Sequence, residues 1–129
     1  MTDNLADTMP FSQMMGVNVT EATSASVVGE IEVREDLCTT GGIMHGGAIM
    51  AFADALGAIG AFLALPADAK GTTTIESKTN FLGAAPLGAR VIGKTKPVKT
   101  GARLSVWQTD IRLENGRQVA LVTQTQLVL

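Results

Sequence analysis

The stretch Met44-His45-Gly46-Gly47-Ala48-Ile49-Met50-Ala51-Phe52-Ala53-Asp54-Ala55-Leu56-Gly57 decides how this chain folds. From Gly46 to Leu65 every residue is apolar or glycine, with the single exception of Asp54. A run this apolar has to be buried, and its continuity predicts a helix covered on every side. The helix should stop at Pro66, because proline disfavours helix at the residue before it. The run is also about as long as a membrane span. Asp54 would then lie near the bilayer centre, and the flanks alternate like ordinary strands, so no membrane insertion is expected. A lone carboxylate in such surroundings is costly unless it has a partner or a task. At the start of the helix, His45-Gly46-Gly47 supplies small residues and unblocked backbone N–H groups, which suit a polarised oxygen. Acid and N–H trap together look like two parts of an acyl-transfer site.

Upstream of the helix, Val17 to Thr23 and Ser26 to Arg34 read as strands. The second sets Val27, Gly29, Ile31 and Val33 on one face against Glu30, Glu32 and Arg34 on the other. Pro10 to Met15 reads as a short helix with Phe11, Met14 and Met15 as its apolar contacts, and residues 1–9 as a flexible tail. Leu37 to Met44 is an irregular connection around the turn cluster Thr39-Thr40-Gly41-Gly42. Downstream, Thr72–Leu82, Ala89–Val98, Arg103–Leu113 and Gln118–Leu129 read as strands. Their turns are Ala84–Gly88, Thr100-Gly101 and Asn115-Gly116, the last a strong hairpin signal. Short turns predict antiparallel neighbours. The expected fold is α+β: one domain, with a curved antiparallel sheet of about five to six strands wrapped round one buried helix.

The 129 residues suit a single core, and 46% hydrophobic against 17% charged residues excludes a disordered chain. A formal net charge of −2 argues against a nucleic-acid binder. The charges are segregated. Residues 1–36 carry Asp3, Asp7, Glu21, Glu30, Glu32, Glu35 and Asp36 against Arg34 alone, whereas residues 90–103 carry Arg90, Lys94, Lys96, Lys99 and Arg103 with no acid. That basic run reads either as a solvated strand face or as the mouth for a phosphate-bearing small molecule. Cys38 is the only cysteine and His45 the only histidine, so neither a disulfide framework nor a zinc site is expected. The start of the chain lacks a signal-peptide pattern, which with the lone cysteine fits the cytoplasm.

His45-Gly46-Gly47, the acid nine residues after the histidine, and the closing hairpin strands resemble the hotdog-fold acyl-CoA thioesterases. Within them, the chain is most similar to the branch of phenylacetate-pathway and Arthrobacter-type 4-hydroxybenzoyl-CoA thioesterases. The resemblance implies that the Gly46 N–H binds the thioester carbonyl and that Asp54 acts as nucleophile or as base for water. It places Thr39 where relatives often carry Asn or Gln beside the reacting group, and Thr74 where a hydroxyl orients water. Coenzyme A is implied as part of the substrate, with no separate cofactor, and Arg103 falls near its nucleotide end. Gly47, Met44, Met50 and Phe81 sit close enough to line the substrate. His45 reads either as the residue that fixes the loop aiming Gly46 or as a catalytic group that polarises the carbonyl or a water.

Spacing adds an independent expectation. Asp54 lies eight residues beyond Gly46, roughly 12 Å along a helix axis. The two cannot both reach one carbonyl from one helix, so two copies must meet, Asp54 of one facing Gly46 of the other. A two-fold homodimer supplies that pairing twice, with a dimer of dimers as the next level. Two competing functions remain: a hydratase or dehydratase on the same fold, and a non-catalytic acyl-CoA binding protein.

Overall fold

The computed structural model describes residues 4–129. The apolar run forms helix α2, Gly46–Leu63, which follows the short helix α1, Pro10–Met15. The strands are β1 (Asn18–Ala22), β2 (Val27–Glu32), the two-residue β3 (Cys38–Thr39) and β4 (Ile43–Met44), then β5 (Thr72–Phe81), β6 (Arg90–Thr100), β7 (Leu104–Leu113) and β8 (Gln118–Val128). Six of them make one antiparallel sheet in the order β1-β2-β6-β7-β8-β5, while β3 and β4 pair as a separate small hairpin. The expected α+β architecture is therefore present, with α2 lying across the sheet's concave face.

Helix and sheet are matched through glycines. Gly29 on β2 is directly opposite Gly93 on β6, and a Cβ at either would come 2.6 Å from the Leu56 side chain. The paired glycines thus hollow the sheet to seat Leu56, which is fully buried. The reverse holds further along the helix. Gly60 leaves room for the Trp107 ring, and Gly57 for the Gln124 amide. Trp107 is a core residue, its indole N–H donated to Ser105 Oγ at 2.8 Å.

Three expectations need correction. First, Ala84–Gly88 is not a hairpin turn between neighbours: β5 pairs with β8, at the far edge of the sheet from β2. The tight turns at Gly101 and Asn115-Gly116 commit β6 to β7 and β7 to β8, and β2 takes the other side of β6, so the open edge of β8 is what β5 can reach. Residues 82–89 instead cross the end of the sheet. Leu82 and Gly83 donate to the Val119 carbonyl, Met44 donates to Ala85, Leu87 to Gly42 and Gly88 to Val33.

Second, α2 is not covered all round. Met50, Asp54 and Ala58 are half-buried and Phe62 exposed, leaving one stripe at four-residue spacing open beside β5. In α1 only Met15 of the three expected apolar contacts is buried; Ser12 is the other buried residue, and Phe11 and Met14 face outward.

Third, the described part of the supposed tail, residues 4–9, is ordered. Leu5–Thr8 form a 3₁₀ turn with Ala6 fully buried; residues 1–3 lie outside the described range. Asn4 ties this turn to the sheet edge, donating Nδ2–H to the Val17 carbonyl at 2.7 Å and accepting the Val19 N–H on Oδ1 at 2.9 Å. Its side chain so occupies the outer edge of β1 as a pairing strand would. Asn4→Ala should lower stability by about 1–2 kcal/mol, seen as a lower urea midpoint at unchanged slope.

Candidate active site

At its N-terminus α2 has four N–H groups without helical acceptors, as any helix does. His45 is the N-cap, in extended backbone conformation, and its Nδ1 accepts the Gly47 N–H at 2.8 Å. The His45 N–H donates to the Leu37 carbonyl at 2.8 Å, and the His45 carbonyl accepts the Ala48 N–H at 2.9 Å. Three of the four donors are thus taken, and the Gly46 N–H alone has no acceptor among the described residues. The Gly47 amide is thus committed to the cap. That bond also defines His45. With Nδ1 accepting, a neutral ring carries its proton on Nε2, and the imidazole shapes the turn that leaves Gly46 open. The Phe81 ring lies over Gly46, where an added Cβ would come 3.1 Å from its Cζ. A side chain at position 46 would press on that ring, which is half-exposed and has room to shift.

Two helical turns on, Asp54 is half-buried and is not the unpartnered acid that the sequence suggests. Its Oδ1 accepts the Thr74 hydroxyl at 2.7 Å and the Gln124 side-chain amide at 3.3 Å. Thr74 in turn accepts from Gln126 Nε2 at 2.5 Å, and Gln126 Oε1 accepts the Thr72 hydroxyl at 3.0 Å. Gln124 and Gln126 are completely buried. Both stand on the face of β8 that also carries Ala120 and Val122, toward α2. Sequence reasoning misses them, although a signal exists: two amides occupy consecutive positions of an otherwise apolar alternation.

The thioesterase superfamily model matches residues 41–120, which span β4, α2 and strands β5 to β7. The chain belongs to the thioesterase superfamily. It is similar to the 1,4-dihydroxy-2-naphthoyl-CoA hydrolase of Escherichia coli, 36% identical over 76 residues that cover 59% of this chain and 54% of that protein. It is also similar to 1,4-dihydroxy-2-naphthoyl-CoA thioesterase 2 of Arabidopsis thaliana, 28% identical over 96 residues covering 74% of this chain and 60% of the relative. Among solved structures, a mutant form of the phenylacetic acid degradation protein PaaI of Thermus thermophilus superposes with a TM-score of 0.85 at 27% identity, covering 93% of this chain and 99% of that one. The protein is a hotdog-fold hydrolase acting on thioester bonds.

In this thioesterase one protomer brings only some of the expected residues together. Asp54 meets Thr74, and Gly46 meets Phe81, but no contact joins the two groups among the described residues. Met50 precedes Asp54 by one turn on the open stripe, whereas Met44 is buried in the core cluster. Thr39 is exposed on β3, and Arg103 is exposed at the β6–β7 turn. A further feature was not legible in advance. An apolar cavity of about 320 Å³, lined by Leu5, Met9, Ala58, Ile59, Phe62 and Leu63, opens one turn beyond Asp54.

Proposed function

We propose that this thioesterase hydrolyses acyl-CoA to the free acid and coenzyme A at sites shared between two copies of the chain. The observation that carries this reading is the placement of the two half-sites along β5. Thr74, near one end of the strand, touches Asp54; Phe81, at the other end, covers Gly46. On one protomer these half-sites are roughly 12 Å apart along the helix. Antiparallel pairing of β5 with β5 of a second copy would bring the Thr74 end of one strand to the Phe81 end of the other. Asp54 of each copy would then face Gly46 of its neighbour, twice per dimer.

The two sheet edges differ in a way that supports this dimer. The β1 edge is filled by Asn4, but the ten-residue β5 pairs on one side only and leaves Ile75 and Phe81 55% and 54% exposed. A long, uncovered edge strand is a template for pairing with another chain, and Ile75 and Phe81 add apolar contacts to it. Such dimers can associate further as a dimer of dimers, in the cytoplasm, where Cys38 stays reduced.

In the shared site the Gly46 N–H, at the positive end of α2, withdraws charge from the thioester oxygen. Asp54 of the other copy either attacks the carbonyl carbon, expelling the coenzyme A thiolate and leaving an acyl anhydride that water then hydrolyses, or takes a proton from a water that attacks the carbonyl carbon and expels the thiolate directly. After a single turnover in heavy-oxygen water, label found in Asp54 marks the first route with water attacking the Asp54 carboxyl carbon. An anhydride hydrolysed at its acyl carbon is caught instead by hydroxylamine trapping, and the second route gives neither signal. The cavity beyond Asp54, with Met50, suits an apolar acyl group. The exposed Lys94, Lys96, Lys99 and Arg103 suit the phosphates of the carrier. Arg103→Glu should raise KM for acyl-CoA about tenfold with kcat little changed; an unchanged KM discards that assignment.

Thiol release tests the reading directly. The panel is acetyl-, hexanoyl-, benzoyl- and 1,4-dihydroxy-2-naphthoyl-CoA, the last because two relatives are named for it. Turnover of at least one member, with free coenzyme A as product, is expected. No release from any member, despite binding, would leave a non-catalytic acyl-CoA binder instead.

A further inference from the structure

We infer that Gln124 and Gln126 are positioning residues of the hydrolytic site, holding Asp54 by one carboxylate oxygen so that the other is presented for reaction. The inference rests on the assignment of Asp54 made above.

The directions of the hydrogen bonds follow from donor counts. A carboxylate only accepts, so Gln124 must face Asp54 with Nε2, its donor. Thr74 has one hydroxyl proton and gives it to Asp54, so the Thr74 oxygen has to accept from Gln126. That fixes the Gln126 amide, with Oε1 turned to the Thr72 hydroxyl. Gln126 and Thr74 thus form a polarised chain of donors ending on the carboxylate, each bond strengthening the next. The one Thr72 hydroxyl proton lies between Gln126 Oε1 and the Leu127 carbonyl, the latter at 3.1 Å.

Both routes end on the same atom, Oδ1. Two donors from different strand positions fix the rotation of the carboxyl group about its bond to Cβ. Oδ2 accepts no hydrogen bond among the described residues and is not enclosed.

Gln124 is an unexpected choice if its role is packing. Its Oε1 is buried without a partner, which costs stability that an apolar side chain of the same length would not. The amide is accommodated only because residue 57 is glycine, since a Cβ there would overlap it. What the amide gives in return is the bond to Asp54.

The test uses Gln124→Met, Gln126→Met, Thr74→Val and the Thr74→Val/Gln126→Met double variant. Each is assayed for thiol release from the panel member that wild type turns over fastest, with Asp54→Asn run beside them. Gln124→Met should lose about tenfold in kcat with KM within about twofold, and should melt no lower than wild type. Gln126→Met should lose less, and its effect should vanish in the Thr74→Val background, because it acts through that hydroxyl. Gly57→Ala displaces the Gln124 amide without deleting it and should show the same loss of kcat at kept KM. It carries the test should Gln124→Met fail to fold. Wild-type kcat in both glutamine variants, with Asp54→Asn inactive, overturns the inference, as does a loss that follows the melting temperature alone. An active Asp54→Asn would instead remove the assignment of Asp54 itself.

Discussion

Asp54→Asn should lower kcat for thioester hydrolysis by at least about 10³-fold, some 4 kcal/mol of barrier, while the protein stays folded. Asparagine has the same shape, and its Oδ1 can still accept from Thr74 and Gln124. The hydrogen bonds that seat the side chain therefore survive, and what disappears is the charge that attacks or takes a proton. Thermal melting together with thiol release separates the two effects. A variant within tenfold of wild-type kcat would place the chemistry elsewhere.

Gly46→Pro should be nearly as damaging for a different reason. Position 46 is the first residue of α2, directly after the His45 cap, where proline is favoured because its fixed φ suits the helix and its N–H is not needed by it. The substitution therefore deletes the one uncommitted donor while preserving the helix. Loss of a single oxyanion donor typically costs about 3 kcal/mol, so kcat should fall about 10²-fold or more. The ring must also displace Phe81 slightly, and that side chain is half-exposed and able to move. Gly46→Ala is the control: it crowds Phe81 in the same way but keeps the N–H, and should lose much less kcat.

The parts of this fold that are legible in the sequence are those set by neighbours in the chain. The run from Gly46 gives α2, the alternation through Val27, Gly29, Ile31 and Val33 gives β2, and Asn115-Gly116 gives the last hairpin. What escapes is decided by competition between distant segments. The Ala84–Gly88 turn looks like a hairpin, yet both sides of β6 are already taken, and β5 goes to β8. Asn4 reads as tail because the groups it bonds, at Val17 and Val19, lie 13 and 15 residues away.

The site divides along the same line. Gly46 and Asp54 are visible through a motif and its spacing, and Thr74 through the resemblance. The commitment of the Gly47 amide to His45 is a matter of rotamer, which no residue pattern specifies. Gln124 and Gln126 stand out only once β8 is known to turn that face toward α2. Thr39 and Arg103 are carried by resemblance alone, and one protomer does not bring either to Asp54 among the described residues.

Subunit complementation gives the sharpest test of a site built from two copies. Asp54→Asn and Gly46→Pro chains, each nearly inactive alone, are co-expressed with different tags so that mixed dimers can be isolated. In a mixed dimer, one site joins the intact Asp54 of the Gly46→Pro chain to the intact Gly46 of the Asp54→Asn chain. The other site carries both lesions. Purified mixed dimers should therefore recover about half of wild-type activity per dimer. Mixed dimers no more active than their parents would show that each chain works with its own Gly46, contradicting the shared site.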